Sequence, residues 1–141
     1  MKNKHFFFFF LFLFLIQGTD ACAPREHVRF QKYTTEAMHT ALTAGQPTIV
    51  YFSTAWCPTC YKLKQETFTD PQVIQALSNY QKFKVDLSYV HQPDIIAIAN
   101  QYEIRSVPAV VLIGPGGRNP MRIRGFIVAD EFLKVLKQVE Q

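Results

Sequence analysis

The chain has 141 residues and a formal net charge of +4 at pH 7, and this length suits a single domain. The charge is mild and the basic residues are scattered, so the basic stripe expected of a nucleic-acid-binding protein is missing. The three cysteines, Cys22, Cys57 and Cys60, allow at most one intramolecular disulfide and leave one thiol over.

The N-terminus has the pattern of a secretory signal peptide. Lys2 and Lys4 precede an unbroken apolar run over residues 6–16, and the small residue Ala21 follows a short polar exit. The run is shorter than the roughly 20 apolar residues that a membrane-spanning helix needs. We therefore predict a signal peptide over residues 1–21. Cleavage as late as residue 23, or retention as a membrane anchor, is the alternative.

Export of the chain would place it in an oxidising compartment, for which we predict the periplasm. Cys22 falls at the predicted cleavage point, where the first residue of a lipoprotein would carry its lipid anchor. Thr19 stands where a lipobox has a leucine-like residue. The sequence therefore leaves open whether Cys22 is lipidated.

After an arm over residues 22–34, helical and strand patterns alternate. Thr48–Ser53 and Ala109–Ile113 are short apolar runs typical of strands buried on both faces. Pro58 and Pro71 suit the first turn of a helix, where the missing N–H has no partner to lose. Predicted helices cover residues 35–44, 58 to about 68, 93–102 and 129–139, with another beginning at 71; predicted strands cover 48–53, 82–87, 109–113 and 121–124. This order predicts an α/β domain over residues 35–141, with a central mixed sheet flanked by helices.

Cys57 and Cys60 form a Cys-x-x-Cys motif at the predicted start of a helix. The free N–H groups and the dipole of a helix N-terminus favour an anion, which lowers the pKa of the first thiol. Its thiolate attacks a substrate disulfide, and the second thiol, one helical turn on, resolves the mixed disulfide. We therefore predict Cys57 as the nucleophile and Cys60 as the resolving thiol.

The same motif is also half of a zinc site. A structural zinc ion takes four ligands, but the chain has no second cysteine pair, and its histidines show no ligand spacing. We therefore predict no metal site and no cofactor. The alternative function is a binding module: a copper carrier that uses both thiolates, since soft thiolates select Cu(I), or a peptide-binding protein.

The wider sequence resembles the thioredoxin superfamily and, within it, the C-terminal periplasmic domains of the disulfide interchange protein DsbD. The resemblance covers roughly residues 35–138. The segments that carry it are 56–60 (WCPTC), 67–73 (TFTDPQV), 104–109 (IRSVPA) and 124–126 (RGF). The first and third patterns are common to the superfamily, whereas the second is more specific.

The resemblance implies a thioredoxin-like fold and a thiol–disulfide oxidoreductase. Pro108 would form a cis peptide bond with Val107 beside the dithiol, and Trp56, Pro58 and Thr59 would complete a groove for the substrate. Electrons would come from a membrane partner and pass to disulfide-containing exported proteins.

Two positions depart from the family pattern. Tyr51 stands where the family has a buried acid on the strand before the motif, and Lys64 stands where a second acid often follows the resolving cysteine. Glu66 lies about 9 Å beyond Cys60 along the helix axis and is no obvious substitute. We interpret Asp86 as a cap at a strand end rather than a proton carrier. The sequence does not decide the direction of electron flow, although the resemblance favours a reductant.

Overall fold

A computed structural model describes residues 26–141. A five-stranded sheet in the order β1-β3-β2-β4-β5 runs through its centre. The strands are β1 (Gln31–Lys32), β2 (Thr48–Ser53), β3 (Gln81–Asp86), β4 (Ala109–Ile113) and β5 (Met121–Arg124). The first three of these strands are mutually parallel, and β4 and β5 form an antiparallel pair beside β2. The predicted mixed sheet is confirmed.

Five helices cover the two faces of the sheet: α1 (Thr35–Thr43), α2 (Pro58–Glu66), α3 (Pro71–Ala76), α4 (Pro93–Gln101) and α5 (Ala129–Val139). Because side chains alternate along a strand, each buried strand contributes side chains to the hydrophobic cores on both faces of the sheet. Ile49 and Tyr51 face a core built with α2, α3 and α5. Val50 and Phe52 face the other core, which α1 and α4 cover. Within residues 26–141, no helix is both long and apolar enough to cross a membrane.

The arm contributes to the fold, although no local sequence pattern predicts this. β1 pairs with β3 through Gln31 and Lys32, and Val28 and Tyr33 are buried. The Val28 amide donates to the Phe68 carbonyl at 2.8 Å, which ties the arm to the segment after α2. The part of the arm before Glu26, with the predicted signal peptide and Cys22, lies outside the described residues.

Asp70 begins α3 as its N-cap. One carboxylate oxygen accepts hydrogen bonds from the amides of Gln72 at 2.9 Å and Val73 at 3.2 Å. We expect Asp70→Ala to lower the free energy of unfolding by about 1 kcal/mol, because two helix-start amides lose their acceptor. Urea unfolding measures this loss, and Asp70→Asn is the matched control that keeps an acceptor. Equal losses in both variants would contradict a capping role.

Candidate active site

The loop that carries the cysteine motif begins where β2 ends and is held by the turn that follows β3. The Ala55 amide donates to the Ser88 hydroxyl at 2.7 Å. Ser88 is fixed in turn, because its own amide donates to the Asp86 carboxylate at 2.9 Å. The parallel strands β2 and β3 thus end side by side. The turn after β3 hydrogen-bonds to the backbone of the loop after β2.

Cys57 is the N-cap of α2, and Pro58 occupies the first turn. The Cys57 sulfur accepts a hydrogen bond from the Cys60 amide at 3.0 Å and is also joined to Cys60 as a disulfide, with the two Cα atoms 5.1 Å apart. Cys57 is half-buried, whereas Cys60 is only 4% exposed. The outer sulfur is therefore accessible to another protein, and the inner one is shielded.

The side chains before and within the motif form an exposed rim. Trp56 is 71% exposed, and Pro58 and Thr59 are exposed beside it. An exposed indole beside a disulfide is typical of a surface that binds another polypeptide.

The segment of Val107 and Pro108 leads into β4, the strand that pairs with β2. The peptide bond between them is cis, Pro108 is buried, and Val107 packs against the same core as Cys57. The Pro108 carbonyl accepts a hydrogen bond from the Gly125 amide at 2.8 Å. The ring centroid of Phe126, the next residue, lies 4.3 Å from the Lys62 ammonium nitrogen of α2. Gly125 and Phe126 therefore connect Pro108 with the helix that carries the cysteines.

Two of these contacts were missed at the sequence level. Ser88 lies 33 positions from Ala55, so their contact has no local pattern, although an Asp two residues before a Ser is a turn signal. Lys62 and Phe126 are likewise distant in sequence, so their contact has no local pattern.

The positions that depart from the family pattern carry no carboxylate near Cys60. Tyr51 is buried, and its hydroxyl donates to the Cys60 carbonyl at 3.2 Å. Lys64 and Glu66 are exposed. Asp86 caps the turn after β3, in agreement with its interpretation as a strand-end cap. Burial alone would raise the pKa of Asp86, but hydrogen bonds from Ser88 and the charge of Lys84 lower it below its ordinary value.

A metal centre finds no further support. Residues 26–141 contain no group of three or more histidine, cysteine, aspartate or glutamate side chains placed to hold an ion. The copper-carrier alternative needs only the two thiolates, so it stays a prediction.

A mixed sheet with helices on both faces and a dithiol pair at the start of the helix after β2 defines the thioredoxin-like disulfide oxidoreductases as a class. Residues 34–140 match the family model described as a thioredoxin-like domain. The chain belongs to this family.

Comparisons with individual proteins agree with the resemblance seen in the sequence. The chain is 32% identical over 95 residues to the thiol:disulfide interchange protein DsbD of Campylobacter jejuni strain RM1221. This match covers 67% of this chain but 16% of that protein. It is 29% identical over 104 residues to DsbD of Ralstonia nicotianae, covering 73% of this chain and 17% of that protein. The chain thus spans about a sixth of the length of these relatives.

Solved structures share the fold. The oxidised C-terminal domain of DsbD from Neisseria meningitidis matches with a TM-score of 0.63 at 23% identity, covering 78% of this chain and 99% of that one. A thioredoxin from Thermus thermophilus matches with a TM-score of 0.64 at 27% identity, covering 81% of this chain and 88% of that one. The predicted thioredoxin-like fold is confirmed.

Proposed function

We propose that this protein is an exported thiol–disulfide oxidoreductase that reduces or reshuffles the disulfides of other exported proteins. Cys57 attacks the substrate disulfide, and Cys60 resolves the mixed disulfide. Trp56, Pro58, Thr59, Val107 and Pro108 shape the groove that receives the substrate.

The observation that carries this proposal is the asymmetry of the two sulfurs. Cys57 is half-buried at a helix N-terminus, and its sulfur accepts a hydrogen bond from the Cys60 amide. A thiolate at this position is therefore stabilised by that hydrogen bond and by the helix dipole. The shielded Cys60 is placed for attack on Cys57 alone. One sulfur therefore meets the substrate, and the other releases it.

The relatives support the proposed location and partners. DsbD proteins are named as thiol:disulfide interchange proteins, and the signal-peptide pattern over residues 1–21 supports export to the periplasm. A membrane protein with a dithiol would act as the electron donor, and disulfide-containing exported proteins would be the substrates. Lipidation of Cys22 would keep the domain at the membrane surface.

The reduction potential of the Cys57–Cys60 pair tests the proposal and its direction. We expect a value near that of thioredoxin, about −270 mV, when the purified protein is equilibrated against defined dithiothreitol or glutathione buffers. A value near about −120 mV, as for a strong oxidant, would instead make the protein a donor of disulfides. The absence of any reversible dithiol couple would overturn the proposal that this protein is an oxidoreductase. A Cu(I) titration with thiol counting would then test the alternative function as a copper carrier.

A further inference from the structure

A cavity of about 380 Å³ lies between the arm, α2 and β3. Its volume falls within the range of roughly 300–1,000 Å³ that is usual for sites of small ligands. The arm contributes residues 27–30 to its lining, and the sheet contributes Tyr51 and Lys84. Lys64 of α2 and Phe68 after it complete the lining. Four parts of the chain thus converge on a space that the dithiol mechanism does not use.

The charges around this cavity have one sign. The cations Arg29, Lys64 and Lys84 line it, together with the imidazole of His27. No acidic residue is among the lining residues. All three cations are exposed, so the cavity is open to a ligand from solvent. An anion is therefore the ligand that its charge favours.

The carboxylates closest in sequence to these cations lie elsewhere. Glu26 lines a separate cavity beside α3, and Glu66 of α2 is not among the residues that line this one. Arg29 and Lys64 form no ion pair with any other described residue. Neither of these two charges is therefore neutralised within the described part of the chain.

Lys84 occupies a place in the sheet that opposes like charges. Its strand, β3, lies between β1 and β2, and its register partners are Lys32 on one side and Tyr51 on the other. Two like charges opposite each other on neighbouring strands destabilise a sheet. The carboxylate on which Lys84 acts, Asp86, lines the neighbouring cavity and accepts a hydrogen bond from the Ser88 amide. An anion beside Lys84 would offset the remaining repulsion.

An aromatic wall lies behind the charges. The ring centroid of Phe30 is 5.4 Å from that of Tyr51 and 5.1 Å from that of Phe68. Tyr51 and Phe68 are buried, and Phe30 is half-buried. A wall of low dielectric strengthens the attraction between a bound anion and the cations beside it.

We propose that this cavity is a binding site for a phosphate group. A phosphate group carries up to two negative charges and several acceptor oxygens. The Arg29 guanidinium has the planar geometry that binds two of these oxygens side by side. Lys64 and Lys84 add compact positive charges.

Two sources offer such a group: the headgroup of an anionic phospholipid and a soluble phosphate compound. Five residues of chain lead from Cys22 to His27 at the cavity, and they span at most about 18 Å. A chain anchored at Cys22 would therefore hold the cavity close to lipid headgroups. The experiment separates the two sources in two arms.

The first arm uses soluble anions. The unfolding temperature of the purified protein is titrated with sodium phosphate at one fixed pH, and sodium chloride keeps the ionic strength constant so that general screening does not change. A ligand that binds only the folded state raises this temperature as its concentration increases. Sodium acetate, which supplies a monovalent carboxylate, is the matched control.

The second arm uses vesicles. Sedimentation compares the binding of the protein to vesicles of phosphatidylglycerol, which are anionic, and of phosphatidylcholine, which have no net charge. A lipid anchor on the protein would bind to both kinds of vesicle. The ratio of the two affinities therefore reports the contribution of charge.

Matched variants assign the binding to the cavity. Arg29→Gln and Lys84→Gln each remove one charge from it, whereas Lys137→Gln removes one exposed charge from the last turn of α5. Each cavity variant should weaken binding about fivefold in the arm in which the wild type binds, and Lys137→Gln should bind like the wild type. All three should keep the wild-type rate of insulin reduction, which shows that they are folded.

The outcomes either support the phosphate site or overturn it. Binding of free phosphate supports a soluble ligand, and a preference for phosphatidylglycerol without binding of free phosphate supports a lipid headgroup. Equal stabilisation by phosphate and acetate, with no preference between the vesicles, would overturn the site, as would the absence of binding in both arms. Equal weakening by Lys137→Gln would also overturn it, because the net charge of the protein would then explain the binding.

Discussion

Replacement of Cys57 by serine should abolish disulfide exchange, whereas replacement of Cys60 by serine should trap the protein on its substrate. The serine hydroxyl is a far weaker nucleophile than a thiolate at neutral pH, so the first variant cannot begin the reaction. The second begins it but lacks the resolving sulfur. Insulin reduction measures the activity, and non-reducing electrophoresis of Cys60→Ser reveals the covalent complex.

The third cysteine provides the control for this pair of variants. Cys22→Ser should retain the wild-type rate of insulin reduction, since Cys57 and Cys60 are bonded to each other. Trapping by Cys57→Ser rather than by Cys60→Ser would reverse the assigned roles. Full activity in either single variant would refute the dithiol mechanism.

Truncation of Phe132 to alanine should lower the free energy of unfolding by roughly 3–5 kcal/mol. Phe132 is completely buried and packs edge-on against Phe68, with ring centroids 5.9 Å apart. It joins α5 to the core that also contains Cys60. Because domains of this size are stable by only about 5–15 kcal/mol, the variant should unfold at much lower urea concentration.

Two comparisons make this result specific to the loss of packing. Phe132→Leu keeps most of the volume and should lose clearly less stability than Phe132→Ala. Tyr61→Ala removes an aromatic side chain that is 67% exposed and should change stability by no more than about 0.5 kcal/mol. Equal losses for Phe132→Ala and Tyr61→Ala would mean that α5 does not anchor this core.

Helices and central strands were predictable because each has a strong local signal. α5 runs over Ala129–Val139 as its apolar spacing predicts, and β2 is buried along its whole length. α2 is shorter than its predicted extent to about residue 68, and it ends at Glu66. There the amides of Thr67 and Phe68 both donate hydrogen bonds to the Leu63 carbonyl. The Thr67 hydroxyl donates a hydrogen bond to the carbonyl of Ile127, which is distant in sequence. A tertiary contact of this kind has no counterpart in the local pattern.

The same distinction holds for the site. The spacing of Cys57 and Cys60, with a proline between them, was sufficient to place a dithiol at a helix start. The anchoring of Ala55 by Ser88 depends on two strands being neighbours in the sheet. The two-residue β1 is too short for an alternating pattern to identify, and its partner lies about fifty positions away.

The edges of the sheet bear on how this protein avoids aggregation. An uncovered, flat strand edge invites pairing with a neighbouring molecule. Here one edge, β1, offers only two residues, and the other, β5, carries the exposed Arg122 and Arg124. A second chain would find a short template on one side and, on the other, the charge of Arg124 beside the ion pair between Arg122 and Glu103. The two edges of the sheet therefore discourage another polypeptide from joining it as an additional strand.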